Sequence, residues 1–179
     1  LVLLENLTHR GAAGCDPCSG DGAGIHFQLP HTFLQAACAD IGIHLPEAGE
    51  YGAGMVFLPE DAGQRSICEQ ALERMAREAG RDFLGWRDVP TDPQHIGPEA
   101  RKTLPVIRQC FIGRGDLEQA AFERTLYLIR KRAEKAVSSA GLADGSAFYV
   151  ASLSSRTIVY KGLLIPDQID RFYADLADE

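Results

Sequence analysis

Strand-like and helix-like hydrophobic periods alternate along this chain of 179 residues, and the alternation limits the folds open to it. Apolar and polar residues alternate at residues 25–29, as in a half-buried strand, whereas apolar residues recur every three to four positions at residues 117–138. Adjacent strands that can pair antiparallel, with helices between them, predict an α+β sandwich. The same order argues against a doubly wound parallel sheet.

The individual elements follow from these periods and from the turn residues between them. Strands are predicted at residues 25–29, 51–58, 83–89, 106–112, 147–153 and 157–164. Helices are predicted at residues 1–10, 30–41, 62–79 and 117–138, and a final helix begins at Pro166. Asp116 is predicted to cap the long helix, with Gln119 three positions later. Residues 154–156 (SSR) are predicted to join the last two strands as a hairpin.

Apolar spacing also predicts which helical residues are buried. In the helix at 62–79 they are Ile67, Ala71, Leu72, Met75 and Ala79. In the helix at 117–138 they are Phe122, Leu126, Ile129, Ala133 and Val137. In the final helix they are Ile169, Phe172 and Leu176. A solvated basic face is predicted for Arg130, Lys131, Arg132 and Lys135.

Composition limits the classes of function. The chain has 18 basic and 25 acidic residues, a net charge of −7, and no dense basic stripe interleaved with aromatic residues. This balance argues against nucleic acid or an anionic membrane as the main partner. No apolar run approaches the roughly 20 residues that span a bilayer, which predicts a soluble protein. Five scattered cysteines, an odd number, predict reduced thiols and a cytoplasmic location.

Side chains with catalytic or metal-binding potential give weak patterns. Cys15 and Cys18 form a C-x-x-C pair, but no second pair exists in the sequence and glycines follow the first. We favour two free thiols in a loop; the redox or metal alternative predicts zinc uptake or a disulfide potential that Cys18→Ser abolishes. The histidines lack zinc-ligand spacing, so no metal site is predicted. Ser152, Ser154 and Ser155 lack a G-x-S-x-G context and are interpreted as turn polarity.

Residues 20–24 (GDGAG) superficially resemble a dinucleotide-binding loop, but they lead into a strand instead of opening a helix. We interpret the glycines as positions where the backbone closely approaches another element. Asp21 is then expected to accept hydrogen bonds or to pair with a guanidinium such as that of Arg10. Composition and spacing by themselves name no reaction.

Several longer strings resemble one family. Residues 4–12 (LENLTHRGA), 16–17 (DP) and 20–25 (GDGAGI) are similar to the start of the glutaminase domain of glutamate synthase large subunits. The similarity continues in order and approximate spacing at 51–59 (YGAGMVFLP), 85–90 (GWRDVP), 122–124 (FER), 126–127, 130–131 and 152–162 (SLSSRTIVYKG). On this resemblance, residues 1–179 are identified as a partial type 2 glutamine amidotransferase domain, with no second domain.

This resemblance implies an N-terminal-nucleophile hydrolase fold with four αββα layers. In such a domain a cysteine at the processed N-terminus attacks the side-chain amide of glutamine, and its own α-amino group serves as the base. An oxyanion hole stabilises the tetrahedral intermediates that precede and follow a glutamyl thioester. Ammonia passes through a tunnel to a second site, where it is added to 2-oxoglutarate to make glutamate.

The resemblance also assigns site residues. Position 1 is Leu, so the family's nucleophilic cysteine and its first strand are expected upstream, and no catalytic residue is expected in this chain. Arg10 is expected beside the nucleophile, where it shapes the pocket. Gly11 is expected to permit the turn, and Asp21 to support Arg10. The family's substrate-binding arginine and its Asn-Gly oxyanion pair are expected beyond residue 179.

The expected function is that of a segment of a glutamine-hydrolysing domain, inactive as given and active within a longer polypeptide. Its uncapped first helix and the lack of an initiator Met agree with such a segment. FMN and an iron–sulfur cluster are expected in later domains and not in this segment. The expected partners are L-glutamine, other domains of the same polypeptide, and a small electron-donating subunit or ferredoxin. The alternative is a stand-alone, non-catalytic module that uses the scaffold for binding or assembly.

Overall fold

Strands and helices alternate in the computed structural model, which describes residues 22–143 and 147–177. The strands are β1 (Ala23–Gln28), β2 (Tyr51–Leu58), β3 (Phe83–Asp88), β4 (Val106–Gly113), β5 (Tyr149–Ser154) and β6 (Thr157–Gly162). The helices are α1 (His31–Ala39), α2 (Ala62–Glu78), α3 (Pro98–Lys102), α4 (Gln119–Ser139) and α5 (Ile169–Phe172). This order confirms the predicted α+β class. The helix predicted at residues 1–10 lies outside the described residues.

Two compact units make up the described chain. The larger unit comprises residues 27–88, 105–143 and 147–158. The smaller unit comprises residues 22–26, 89–104 and 159–177. One partial domain over residues 1–179 was expected of the whole chain, and this stays a prediction.

A four-stranded antiparallel sheet forms the larger unit, in the order β3-β4-β2-β5. Strands and helices follow one another as β2-α2-β3-β4-α4-β5. In the sheet, β4 lies between β2 and β3, and β2 lies between β4 and β5, so the two β-α-β segments are interleaved. This interleaving is the split β-α-β, or ferredoxin-like, arrangement. By itself the larger unit is therefore a two-layer sandwich.

One face of this sheet packs against α2 and α4, and it carries Val56, Cys110 and Val150. The whole predicted stripe of α4 is at most 2% exposed, which confirms Phe122, Leu126, Ile129, Ala133 and Val137 as core residues. Gly52 permits the close packing of α4 on β2, because a Cβ there would lie 2.6 Å from Leu126 Cδ1. The core of the larger unit thus lies between the sheet and its two long helices.

The buried stripe of α2 differs from the predicted one. Ile67 is 45% exposed, and Cys68 takes its place in the core. Residues 68, 71, 72 and 75 have the spacing of one helical face, whereas position 67 lies beside that face. The prediction for Ile67 is wrong by one position.

Helix α4 begins at Gln119, and Asp116 does not cap it. The N-cap position is Glu118, which makes no side-chain capping hydrogen bond. Gly115, with a φ of +58°, and Asp116 form a turn, and two residues separate Asp116 from the first helical residue, Gln119. The Asp116 carboxylate instead lies 3.6 Å from Arg81 Nη1 and is 93% exposed.

The outer face of α4 is basic and solvated, as predicted. Lys131, Arg132 and Lys135 are exposed. Arg130 and Lys131 form ion pairs with Glu134 at 2.8 and 2.7 Å. These pairs link successive turns of one helix and explain the basic run without a ligand.

The hairpin predicted between β5 and β6 is wrong. β5 pairs with β2, whereas β6 pairs with β1 in a separate two-stranded sheet. The reason lies in the hydrogen bonds of the connection. Ser155 N donates to Glu123 Oε1 (2.7 Å) and Arg156 N donates to Ser154 Oγ (3.0 Å), instead of to carbonyl groups of a facing strand.

In the smaller unit, the segment after β6 pairs with the start of residues 89–104. Ala174 N donates to Pro90 O (3.2 Å), and Tyr173 forms an antiparallel bridge with Thr91. Tyr173 Oη donates to Lys161 O (2.8 Å). These contacts join the two parts of the sequence that build this unit.

The single final helix predicted from Pro166 is wrong. A 3₁₀ turn (Pro166–Gln168), α5 and a second 3₁₀ turn (Ala174–Leu176) replace it. Helix α5 ends at Phe172 because Tyr173 has an extended backbone (φ −98°, ψ 102°) and bridges Thr91. Ile169 and Phe172 are buried as predicted, but Leu176 is only half-buried.

Candidate functional site

The residues predicted to support an active site, Arg10, Gly11 and Asp21, lie outside the described residues, as do Cys15 and Cys18. Their roles therefore stay predictions. β1 begins at Ala23, two residues after Asp21. The structure thus defines the strand to which this loop is attached.

The glycines that follow Asp21 bring β1 close to β6. Gly22 has a φ of +129°, a backbone conformation that residues with a side chain rarely adopt. A Cβ at Gly24 would lie 2.8 Å from Lys161 Cβ and 3.1 Å from Tyr160 O. The predicted close approach of another element is confirmed at Gly24.

Replacing Gly24 by alanine is expected to destabilise the protein by about 1–3 kcal/mol, because the added methyl group forces β1 away from β6. Urea unfolding followed by circular dichroism measures the change. Gly113→Ala in β4 is the matched control, since its Cβ would lie 3.7 Å or more from other atoms. Its effect is expected to stay below about 0.5 kcal/mol. Equal stability of the two variants would show that β1 does not pack this closely.

The larger unit carries an open cleft of about 460 Å³, where β1 ends, α1 and β2 begin, and residues 154–157 form the β5–β6 corner. Its volume lies in the range of small-molecule sites. Leu29 N donates to Arg156 O (2.9 Å), which ties the end of β1 to the corner. The cleft is lined by Gln28, Leu29, His31, Ala48, Gly49, Tyr51, Ser155, Arg156 and Thr157.

Glu123 of α4 holds the β5–β6 corner at one wall of the cleft. Its carboxylate accepts hydrogen bonds from Ser155 N (2.7 Å), Ser155 Oγ and Ser154 Oγ (3.1 Å). Ser154 Oγ accepts from Arg156 N (3.0 Å) and from Thr157 N (3.4 Å). Three successive backbone N–H groups are thus satisfied by two side chains, which fixes the corner without a hairpin.

His31 and Tyr51 also line the cleft, and Tyr51 Oη lies 3.2 Å from His31 Nδ1. Burial raises the pKa of Tyr51 to about 12, so its phenol stays protonated and can donate to Nδ1. The Arg87 guanidinium lies 5.4 Å from the centroid of the Phe33 ring, two residues after His31 in α1. This cation–π contact fixes the helix that carries His31.

The cysteines in the described part of the chain are unsuited to nucleophilic catalysis. Cys38, Cys68 and Cys110 are fully buried. Burial raises the pKa of Cys38 to about 11 and that of Cys110 to about 12. A cysteine nucleophile needs a lowered pKa and access to the substrate; Cys38 and Cys110 have neither, and burial denies Cys68 access to a substrate.

These raised pKa values predict a loss of stability in alkali. The unfolded chain releases the Cys110 proton near pH 9.0, whereas the folded chain keeps it to about pH 12. The contribution of Cys110 to the free energy of unfolding is therefore constant below about pH 9. Above about pH 9, the free energy of unfolding falls as the pH rises. Urea midpoints between pH 8 and about pH 10.5 should fall more steeply in the wild type than in Cys110→Ala. Parallel slopes would contradict the buried neutral thiol.

The serines of the corner hold the local backbone. Ser155 Oγ donates to Glu123 and accepts from Gln119 Nε2, so its hydroxyl is engaged on both sides within the corner. The interpretation of these serines as the polarity of a hairpin turn is therefore wrong in part: Ser154 and Ser155 serve a corner between two sheets, and Ser152 is buried within β5. The cleft therefore offers hydrogen-bond donors and a guanidinium, which suit binding more than bond cleavage.

Two further properties concern only residues 22–143 and 147–177. No group of three or more His, Cys, Asp or Glu side chains there could hold a metal ion. No helix in these ranges is long and apolar enough to cross a membrane.

Glu123 and His31 are site residues that the sequence did not predict. Gln119 and Glu123 lie four residues apart beside the apolar stripe of α4, so both reach the same neighbouring segment. A polar pair at that spacing can therefore be recognised in a sequence as two side chains that contact one segment. The contact between His31 and Tyr51 has no such signal, because it joins segments 20 residues apart through the tertiary fold.

Comparison with known proteins extends over the whole chain. Residues 1–179 match the family of class-II glutamine amidotransferases. The chain is 47% identical over 181 residues to the glutamate synthase (NADPH) large chain of Bacillus subtilis (strain 168), covering 100% of this chain and 12% of that protein.

Two eukaryotic proteins show a similar match. The chain is 39% identical to glutamate synthase (NADH) of Schizosaccharomyces pombe, covering 98% of this chain and 8% of that protein. It is 38% identical to the chloroplastic ferredoxin-dependent glutamate synthase of Oryza sativa subsp. japonica, covering 100% of this chain and 11% of that protein. The chain thus spans about a tenth of the length of these relatives.

Proposed function

Because the chain belongs to the class-II glutamine amidotransferases, we propose that it forms part of the glutamine-hydrolysing domain of a glutamate synthase. The match of the whole chain to that family and to glutamate synthases carries the proposal. Since the chain spans about a tenth of these relatives, the activity belongs to a longer protein.

The proposed reaction releases ammonia from L-glutamine. A cysteine thiolate attacks the side-chain amide carbon, the C–N bond breaks, and the protonated nitrogen leaves as ammonia. Water then hydrolyses the thioester to L-glutamate and regenerates the thiol. We place the nucleophile N-terminal to Leu1, and the burial of Cys38, Cys68 and Cys110 supports a source outside the described residues.

Arg10, Gly11 and Asp21 are the proposed supports of this active site. A guanidinium beside the nucleophile stabilises a thiolate and helps to position the substrate. Asp21 stands two residues before β1, and this supports a placement of the loop at the start of that strand. In this arrangement Gly11 permits the turn and Asp21 holds the Arg10 guanidinium.

We place β1 and β6 in the αββα sandwich of N-terminal-nucleophile hydrolases. The larger unit has a two-layer sandwich of its own. Its chain leaves β1 at Leu29 and returns to β6 at Arg156, two residues joined by a backbone hydrogen bond of 2.9 Å. Adjacent ends are typical of an inserted unit, which supports an addition between two strands of the amidotransferase core.

In the longer protein, the ammonia is added to 2-oxoglutarate to make L-glutamate. FMN and an iron–sulfur cluster would supply the electrons for this reduction. Both are proposed to be held by other domains of the polypeptide, and a small electron-donating subunit or ferredoxin is the proposed electron source. The free thiols of Cys38 and Cys110 support a reducing compartment such as the cytosol.

The test uses the protein with its natural ends. Intact mass and N-terminal sequencing should give a chain far heavier than 19.5 kDa that begins with Cys, and this protein should release ammonia from L-glutamine. The matched control is treatment with an alkylating glutamine analogue, which should abolish the release. A protein near 19.5 kDa that begins at Leu1 and leaves glutamine intact would favour a non-catalytic module that uses the scaffold for binding or assembly.

A further inference from the structure

Beyond the proposed hydrolysis of glutamine, we infer that the cleft of the larger unit binds the carboxylate of a small organic acid. Arg156 is the cationic partner, and Glu123 is the residue that positions it through the β5–β6 corner. The inference rests on the charge of the cleft, on its hydrogen-bond donors and on the way in which its wall is held.

The charge of the cleft is opposite to that of the chain. The chain has a net charge of −7, yet the residues that line the cleft include Arg156 and no Asp or Glu. Arg156 is exposed, and within the described ranges no side chain pairs with its guanidinium. Two nearby carboxylates have other partners, because Glu50 pairs with Arg114 and Glu123 accepts hydrogen bonds from Ser154 and Ser155.

The neutral donors of the cleft also suit a carboxylate. The Tyr51 phenol stays protonated and can donate a hydrogen bond to His31 Nδ1. Nε2 of the His31 ring is then left for another partner. Thr157 supplies a hydroxyl and Gln28 an amide. A guanidinium binds a planar carboxylate through two parallel N–H groups. Phosphate sites, by contrast, usually combine several cations or backbone amides, and Arg156 is the single arginine in this lining.

Glu123 fixes the backbone segment that carries the Arg156 side chain. The N–H groups of Ser155, Arg156 and Thr157 depend on Glu123 or on Ser154, whose hydroxyl donates to Glu123. Truncating Glu123 leaves these donors without an ordered acceptor, so the corner loosens and Arg156 loses its position. Glutamine at position 123 keeps an acceptor oxygen of the same reach, so Glu123→Gln should preserve the corner.

Binding of radiolabelled L-glutamate to the protein with its natural ends tests the inference by equilibrium dialysis. Arg156→Gln is expected to remove one class of sites, one per chain, or to weaken it at least about tenfold. Arg132→Gln on the solvated face of α4 is the matched control and should bind like the wild type. Equal binding by Arg156→Gln and Arg132→Gln would overturn the inference, whether or not the protein hydrolyses glutamine.

Two further measurements separate positioning from general folding, and carboxylate from other anions. Glu123→Ala should weaken the same class of sites about tenfold, and Glu123→Gln should restore it to within about threefold. Equal losses in both Glu123 variants would contradict the positioning role. Acetate should displace the label from this class more effectively than inorganic phosphate at equal ionic strength. The reverse order would overturn the assignment to carboxylates.

Discussion

Replacing Arg10 by alanine in the protein with its natural ends is expected to lower the rate of ammonia release from L-glutamine at least about 100-fold. Removing one preorganised group that stabilises charge at a reacting centre typically has an effect of this size. The proposed guanidinium lies beside the thiolate, so the loss should fall mainly on kcat. An assay of ammonia release over a range of glutamine concentrations measures kcat and KM separately.

The matched control for Arg10→Ala is Arg132→Ala, which removes an exposed arginine of α4. It should leave the rate of ammonia release within about twofold of the wild type, since surface substitutions away from a site have small effects. If Arg10→Ala and Arg132→Ala release ammonia at the same rate, Arg10 does not support the active site. If the wild type releases none, the proposed function itself fails.

The second large effect is expected in the core of the larger unit. Leu126→Ala should lower the free energy of unfolding by about 2–5 kcal/mol, because Leu126 is fully buried between α4 and β2 and the change leaves a cavity. Leu128→Ala makes the same chemical change two residues later, where the side chain is 51% exposed. Its effect should stay within about 0.5 kcal/mol.

Urea unfolding of the two leucine variants, followed by circular dichroism, measures this difference. The comparison removes the effect of helix propensity, since both changes replace leucine by alanine within α4. Similar losses in the two variants would mean that α4 does not present Leu126 to the sheet.

Local signals predicted most of the fold from the sequence. The stripe of α4 repeats every three to four residues over a long helix, so Phe122 and Val137 could be assigned to the core without tertiary information. β2 was predicted with both of its bounds, since a strand-like run ends at Pro59. Each of these features depends on neighbours in the sequence.

The errors concern contacts between distant segments. The chain at Ser155 looks like a hairpin turn, but a carboxylate from α4 satisfies its backbone and the two strands join different sheets. Tyr173 ends the last helix because it bridges Thr91, which the local sequence does not show. Ile67 and Cys68 were exchanged because a moderately apolar helix allows more than one stripe.

The candidate site was predictable only through resemblance. Arg10, Gly11 and Asp21 were identified from strings shared with a family, and the match of the whole chain to class-II glutamine amidotransferases confirms that family. The cleft of the larger unit had no sequence signal, because His31 and Arg156 come from segments that only the tertiary fold brings to one cleft. Glu123 lay within one of the shared strings, but its role follows from geometry alone.

Transfer of amide nitrogen is the most direct measurement of the proposed function. The protein with its natural ends is supplied with L-glutamine labelled with ¹⁵N in the side-chain amide, with 2-oxoglutarate and with a reductant, and the glutamate formed is analysed by mass spectrometry. Glutamate that carries ¹⁵N at its α-amino group is expected, because the released ammonia is added to 2-oxoglutarate. Hydrolysis of the labelled glutamine itself also yields one unlabelled glutamate. A complete lack of labelled glutamate, or glutamine that stays intact, would therefore contradict membership in a working glutamate synthase.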